Sequence, residues 1–504
     1  MDVIIVVVVG LFTLLSYYRW LRVAQREHYE PRRLLAIVGI WTRARPVELV
    51  LLLAVAAVCV AAFWLPWGGI VGALLWLAWP TGMSFTGAKR LAWTDRVKRL
   101  AGVVVLLHAV VAVALSFVPG PAVVVLPLLV VPIAEAALAV TAPVERRMAK
   151  KWQVQAAAKI RKVNPRVVAI TGSYGKTSTK NYATYLMQGR WSTLASPASF
   201  NNAMGLSRAV NDRLEPGTDI FVAEMGTYGP GEIAALTEMF PPEVSAITTI
   251  GEAHLERMKT RATIVKAKSE ILPPARVVVL NVDVPELAQI ADELAATKVV
   301  IRCSAHPGTD AEVRVLPGGC EGAATLEIRD ETYEVALPDD VGHPINVAIA
   351  VGLALAVDVP VGTILERLPG IPATPHRAEA AKTPGGVWVV DDTFNSNPTG
   401  AAAALAKAQR LAGESGTVWT ITPGMVELGS EQAARNAAFA EAATATERLR
   451  LCIVGRTNRR ALRAGDPART LEFDSRAKAG DVVLAQAKTG DVILYENDLP
   501  DHYA

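Results

Sequence analysis

A short β-branched run ends at Gly172, the turn Gly172-Ser173-Tyr174-Gly175 follows, and Lys176-Thr177-Ser178 opens a stretch that reads as a helix. Such a layout turns backbone N–H groups and a helix N-terminus toward an anion, while the lysine reaches its outer phosphates and a hydroxyl holds Mg2+. Nucleotide binding is the chemistry it suits, with ATP as the expected ligand. The glycines depart from the general G-x-x-x-x-G-K-[ST] spacing, because Ile170 stands five positions before Gly175. The triplet therefore needs companions.

Companions follow in order. Ser199-Phe200-Asn201-Asn202-Ala203-Met204-Gly205 is a polar loop entering a helix, and Ile220 to Ala223 is a short strand ending at Glu224-Met225-Gly226. In an open α/β sheet ligands gather beyond the carboxyl ends of strands, so Glu224 stands where a second contact to Mg2+ is needed. Val244 to Ile250 runs into Gly251-Glu252-Ala253-His254-Leu255-Glu256, and a helical segment then carries Lys266-Ala267-Lys268-Ser269-Glu270. Taken singly, each has a plainer reading: a solvated carboxylate, a hydrogen-bonded core histidine, a basic solvated helix face. Their order argues otherwise.

Together TGxxGKT, SFNN, an ExG strand end, an AHLE loop and a KAKxE helix make residues 165 to 460 resemble the Mur ligase family, the ATP-dependent amide ligases of cell-wall peptide synthesis. The likeness is greatest to the type that adds D-alanyl-D-alanine. It implies that Lys176 and Thr177 hold the β,γ-phosphates and the first Mg2+ in an ATP cradle completed by Gly172, Ser173, Tyr174, Gly175 and Ser178. Glu224 would be a further metal ligand, and His254 would bind a second Mg2+. Lys268 matches the lysine that becomes carbamylated and supports that metal, and Asn201 and Asn202 fall at substrate-binding positions.

Further on, Gly342-His343-Pro344-Ile345-Asn346 resembles a shortened GxHNxxN, which would put Asn346 on adenine. Pro375-His376-Arg377 matches an arginine that faces the γ-phosphate, and a guanidinium suits bidentate contact there. Asp391 to Pro398 is like DDSYNANP, so Asp392 would bind the ribose and Asn395 would shape the nucleotide site. Thr422 to Gly429 resembles GDMxELG with Gly424 in place of its Asp. The implied reaction forms an acyl phosphate from a carboxylate and the γ-phosphate, then an amide by attack of an amine, with Lys176, Lys268, His254 and Arg377 as the catalytic set.

Two departures bear on the substrates. Apolar helices stand where the family has its UDP-sugar domain, which points to a carboxylate substrate that is lipid-linked, polymeric or near a membrane. The tail Tyr495-Glu496-Asn497-Asp498-Leu499-Pro500-Asp501-His502-Tyr503 replaces a Lys-Gly-Ser-Arg-like loop and is either solvated or suited to a cationic amine partner.

These residues must be held by something. At 504 residues and 51% hydrophobic, the chain is long enough for about three domains, and part of it is expected in lipid. Five apolar runs occupy Val3 to Tyr18, Val47 to Trp67, Gly68 to Phe85, Gly102 to Val118 and Pro121 to Ala142, each near the roughly 20 residues that cross a bilayer. Arginines and lysines crowd the segments after the first, third and fifth runs and are missing from the two short links, which puts the N-terminus outside and the catalytic part in the cytoplasm. His108 and Glu135, at matching depth on the fourth and fifth runs, are expected to pair.

Through residue 165 the chain carries 19 Lys+Arg against 7 Asp+Glu, and the remainder 32 against 41. The basic excess thus lies with the apolar part and suits membrane lipid; nothing suggests nucleic-acid readout. Cys59, Cys303, Cys320 and Cys452 are scattered and frame neither a disulfide network nor a zinc site. The expected fold class is an α-helical transmembrane region plus α/β, with a P-loop central ATPase domain and a Rossmann-like C-terminal domain. The boundaries are 1–143 for five membrane helices, 144–164 for a basic linker helix, 165–371 for the ATP-binding domain and 372–504 for the last domain. A poly-γ-glutamate synthase-like ligase is the alternative enzyme, and the lack of an LSGGQ-like signature weighs against an ATP-driven transporter. Oligomeric state is left open.

Overall fold

The computed structural model describes residues 2–44, 46–65, 67–79, 91–118, 122–197, 200–318, 322–338, 341–374, 378–394, 396–497 and 499. The chain divides into two compact units, one built mainly from residues 1–148 and the other from 149–498 apart from 455–457.

Long aliphatic runs make the first unit helical: α1 (Asp2–Arg26), α2 (Arg33–Ala44), α3 (Pro46–Ala61), α4 (Gly68–Ala78), α5 (Asp95–Ser116), a 3-10 segment at Ala122–Leu129, and α6 (Val130–Val163). Trp20, Trp41, Trp76 and Trp79 pack together at its centre. Among the described residues three segments are long and apolar enough to cross a membrane, Val7–Arg26, Asp95–Ser116 and Ala122–Val163, and a bent pair, Arg33–Arg43 with Pro46–Ala61, makes four at most. The first, fourth and fifth expected runs fall on these three segments; α3 and α4 have 16 and 11 residues, against the roughly 20 a span needs, and the end of the third run, residues 80–85, lies outside the described residues. The fifth run does not end at a separate linker. Pro143 sits inside α6, which continues unbroken to Val163.

His108 and Glu135 do not pair. The imidazole lies 3.4 Å from both Thr13 Oγ1 and Tyr17 OH on α1. Glu135 instead accepts from the backbone N–H groups of Arg32 (2.6 Å) and Leu35 (3.2 Å), satisfying the donors at the start of α2. A capping carboxylate needs no histidine.

In the second unit, Arg166–Thr171 (β1), Thr193–Ala195 (β2), Ile220–Glu224 (β3), Val244–Ile247 (β4), Val277–Asn281 (β5), Val299–Ser304 (β6), Val313–Pro317 (β7), Ala323–Ile328 (β8) and Glu331–Ala336 (β9) form one sheet in the order β2-β3-β1-β4-β5-β6-β7-β8-β9. Its first seven strands are parallel, and β1, β3, β4 and β5 are nearly continuously buried, as strands covered on both faces must be. The helices that cover them are α7 (Lys176–Met187), α8 (Ala203–Arg213), α9 (Glu232–Met239), α10 (Leu255–Met258), α11 (Arg261–Ser269), α12 (Pro285–Leu294) and α13 (Pro344–Ala356). Val168 and Ile170 point to the side of α7 and α13, Val167 and Ala169 to the side of α8, α9, α11 and α12. Between Asp310 and Glu334 lies a stretch rich in glycine and charge. Its alternating burial makes β8 and β9 an antiparallel extension of the sheet.

A second sheet comprises Glu379–Lys382 (β10), Trp388–Asp392 (β11), Val418–Thr422 (β12), Leu449–Val454 (β13), Thr470–Phe473 (β14) and Val492–Glu496 (β15), in the order β10-β11-β15-β12-β13-β14. All neighbours are parallel except β10 with β11. Because β15 inserts between β11 and β12, Glu496 and Asn497 are buried at its carboxyl end. They belong to the sheet and not to a solvated tail; Asp498, Pro500, Asp501, His502 and Tyr503 lie outside the described residues.

Candidate active site

The carboxyl ends of β1, β3 and β4 share one edge of the first sheet, which brings the turn at Gly172–Gly175, Glu224 and the loop ending at His254 to one place. Gly175 caps α7 with φ 80°, and a side chain there would collide with Asn346. The turn is tied to the neighbouring loop: Ser173 N donates to Thr249 O (2.8 Å), and Ser173 Oγ exchanges hydrogen bonds with the backbone of Gly251. The Tyr174 ring packs on Gly251, where no Cβ would fit. Lys176 Nζ folds back to donate to Gly172 O (2.7 Å) and Ser173 O (3.2 Å), so its ammonium lies over the anion-facing turn.

Glu224 is the hub of a buried network. Thr177 Oγ1 donates to its Oε2 (3.0 Å), Lys180 Nζ stands 3.2 Å from the same oxygen, and Asn201 Nδ2 donates to Oε1 (3.4 Å). Burial opposes ionisation of this carboxyl, but the charges of Lys180 and Lys176 and the hydrogen bonds from Thr177 and Lys180 outweigh it and hold its pKa below the ordinary range. Lys180 was not anticipated. It sits four residues after Lys176, one helical turn along the same face, and that spacing was its only signal.

Asn202 parts company with Asn201. Its side chain accepts from Gly205 N (2.9 Å) as the cap of α8.

His254 adopts a left-handed backbone (φ 63°) at the start of α10. Its Nδ1 lies 2.8 Å from Glu427 Oε2, and its ring meets that of Tyr228 edge-to-face with centroids 4.7 Å apart. Burial is the chief cause lowering its pKa, opposed by Glu427 and reinforced by Lys176 and Lys268. The neutral imidazole is thus favoured. Lys268, on α11, is fully buried, and burial together with the Lys176 charge pushes its pKa well below the ordinary amine value. Lys176 is the common electrostatic neighbour of Glu224, His254 and Lys268.

Asn346, in α13, accepts from Thr179 Oγ1 (3.4 Å) and lies beneath the cradle at Gly175. Asp392, at the end of β11, accepts from Ala378 N (3.1 Å). Ser178 is buried in the first turn of α7. Arg377 and Asn395, with Pro375, His376 and Ser199, lie outside the described residues. Asn397 accepts from Gly400 N (2.9 Å) and caps the helix Pro398–Ala412, so its part of that motif is a helix start.

Among the described residues no three His, Cys, Asp or Glu gather as a metal site. Mg2+ does not require that. It takes one or two carboxylates, keeps waters and draws other oxygens from substrate phosphates. The adjacent oxygens of Thr177 and Glu224 beside the cradle fit such a cation.

Comparison with known proteins places this geometry. Residues 170–338 match the Mur ligase middle domain and residues 376–495 the Mur ligase glutamate ligase domain. The UDP-N-acetylmuramoyl-tripeptide–D-alanyl-D-alanine ligase of Mycobacterium leprae is 31% identical over 366 residues, covering 65% of this chain and 70% of that protein. The ligase of the same name from Mycobacterium tuberculosis is 31% identical over 301 residues, 57% of this chain and 58% of that one. In fold, MurF of Acinetobacter baumannii aligns with a TM-score of 0.61 at 23% identity over 69% of this chain and 77% of its own. MurF ligase of Thermotoga maritima in complex with ADP also gives 0.61 at 23%, over 69% and 80%. The cradle, the buried Glu224 network, His254 and Lys268 thus lie within matched sequence, and the chain belongs to the Mur ligase family of ATP-dependent, ADP-forming amide ligases.

Proposed function

We propose that this chain activates a substrate carboxylate with ATP as an acyl phosphate and joins it to an amine in the synthesis of cell-envelope peptide, held at the inner face of a membrane by its N-terminal helices. The observation that carries the reading is the convergence of Lys176, Thr177, Glu224, His254 and Lys268 along one edge of the first sheet. The relatives' names suggest a muramoyl peptide as the acid and D-alanyl-D-alanine as the amine. Such names favour a defined dipeptide acceptor over stepwise glutamate addition. The ATP-binding domain would close near residue 371, since β9 ends the first sheet and β10 begins the second.

In this reading Lys176 swings from the turn carbonyls to the β,γ-phosphates, while Thr177 and Glu224 would hold Mg2+, which would supply offsetting charge at the transferring group. Arg377, Asn346, Asp392 and Asn395 complete the nucleotide site, and Asn201 meets substrate. Burial, with the Lys176 charge, shifts Lys268 toward the free amine that carbamate formation with CO2 requires.

A phosphate-release screen of the detergent-solubilised chain against pairs of acids and amines, with product masses, tests the reading. Lys176→Ala is expected to abolish ATP-dependent product formation; turnover at the wild-type rate would remove the cradle assignment.

A further inference from the structure

Glu427 lies in the loop after β12, 173 residues from His254, yet its Oε2 is 2.8 Å from His254 Nδ1. A carboxylate in such a contact can only accept, so the shared proton belongs to the ring nitrogen. The two loops are also joined by their backbones. Glu256 N donates to Glu427 O (3.3 Å), and Gly429 (φ 57°) lies so close that an added Cβ would stand 3.2 Å from Glu256 N.

Both residues of the pair hold left-handed backbone, φ 63° at His254 and φ 64° at Glu427. Non-glycine residues keep that conformation only where their surroundings over-determine it, and such strain gathers at functional positions. The edge-to-face contact with Tyr228 leaves the imidazole little freedom to turn.

We propose that Glu427 is the positioning carboxylate of His254: by accepting the Nδ1 proton it fixes the tautomer and turns the Nε2 lone pair toward a divalent cation at the nucleotide phosphates. The inference rests on His254 being a metal ligand, as read above. An imidazole has one lone pair when neutral, and a carboxylate on its other nitrogen settles which atom carries it and raises its basicity. Residues near the second sheet would in this way complete a metal site built on the first. A second link between the same regions, Arg435 Nη2 to Glu252 Oε1 at 2.7 Å, touches neither ring nor metal and serves as a control.

The test titrates Mn2+ into the full chain in detergent with a non-hydrolysable ATP analogue, reading free Mn2+ by electron paramagnetic resonance. Glu427→Gln is expected to weaken Mn2+ binding about 10- to 100-fold, His254→Ala at least as much, and Arg435→Ala not at all. If His254→Ala weakens binding while Glu427→Gln matches wild type, the positioning role falls and the metal reading stands. Wild-type affinity in His254→Ala removes both. Equal losses in Glu427→Gln and Arg435→Ala would assign the contact to clamping and overturn the proposal. Should Glu427→Gln not fold, nitrogen-15 spectra of labelled histidines in the wild-type chain decide: the proposal requires the proton on His254 Nδ1, and a proton on Nε2 refutes it.

Discussion

At the scale of single residues the site is a balance of charges that no one motif discloses. Glu224 meets a hydroxyl, an amide and an ammonium, and a carboxylate so placed stays ionised although buried. Lys268 has the opposite fate: burial and the Lys176 charge lower its pKa and favour the neutral amine. An amine in that state is a nucleophile, and a carbamate made from it would bring a negative group beside His254. Lys268→Ala is therefore expected to lower ligase activity about 100-fold, and millimolar formate or acetate to restore part of it by standing in for the carbamate. Loss without rescue would leave Lys268 a packing residue. Sequence order made Lys176, Thr177, Glu224, His254 and Lys268 legible. It did not disclose Lys180 or Glu427, because a lysine one turn along a helix reads as solvated and a partner 173 residues away has no local signature.

At the scale of elements, the parallel strands β1, β3, β4 and β5 were readable as apolar runs ending in polar loops. What the local pattern concealed was long-range insertion. β15 returns from the end of the chain to lie between β11 and β12, and so carries Glu496 into the interior beside Ser396, Thr422 and Asp392. Burial, aided by Asp392 and opposed by the two hydroxyls, raises its pKa to about 7. Between its ordinary range and that value the folded chain holds a proton the unfolded chain has released. The stability from that proton is full at low pH and is lost as pH rises through about 7. Glu496→Gln has no such proton to lose. Its unfolding midpoint should exceed wild type most at pH 8, by the equivalent of about 3 kcal/mol, with the smallest difference near pH 4.5. A difference that does not change with pH would show that Glu496 is not the titrating group.

At the scale of the whole molecule, the membrane-held reading proposed above raises the question of which face each end of the chain sees. The first 165 residues carry the basic excess and the apolar helices, and α5 leaves Leu106, Val110 and Val113 exposed. Side chains of that kind, on a helix long enough to span, are at home in lipid. The full chain is expected in the membrane fraction, resisting alkaline carbonate and released by detergent; carbonate release would reduce the helices to a peripheral or partner-binding role. Span number then becomes a matter of parity. Three crossings, like the five expected from the apolar runs, put the N-terminus opposite the catalytic unit, whereas a fourth from the bent pair Arg33–Arg43 and Pro46–Ala61 would put both on one side. The arginines that follow α1 favour the odd number, since basic loops stay in the cytoplasm. In spheroplasts a membrane-impermeant maleimide should label Asp2→Cys before lysis and Lys151→Cys only after it. Protection of Asp2→Cys until lysis would make the bent pair a true span.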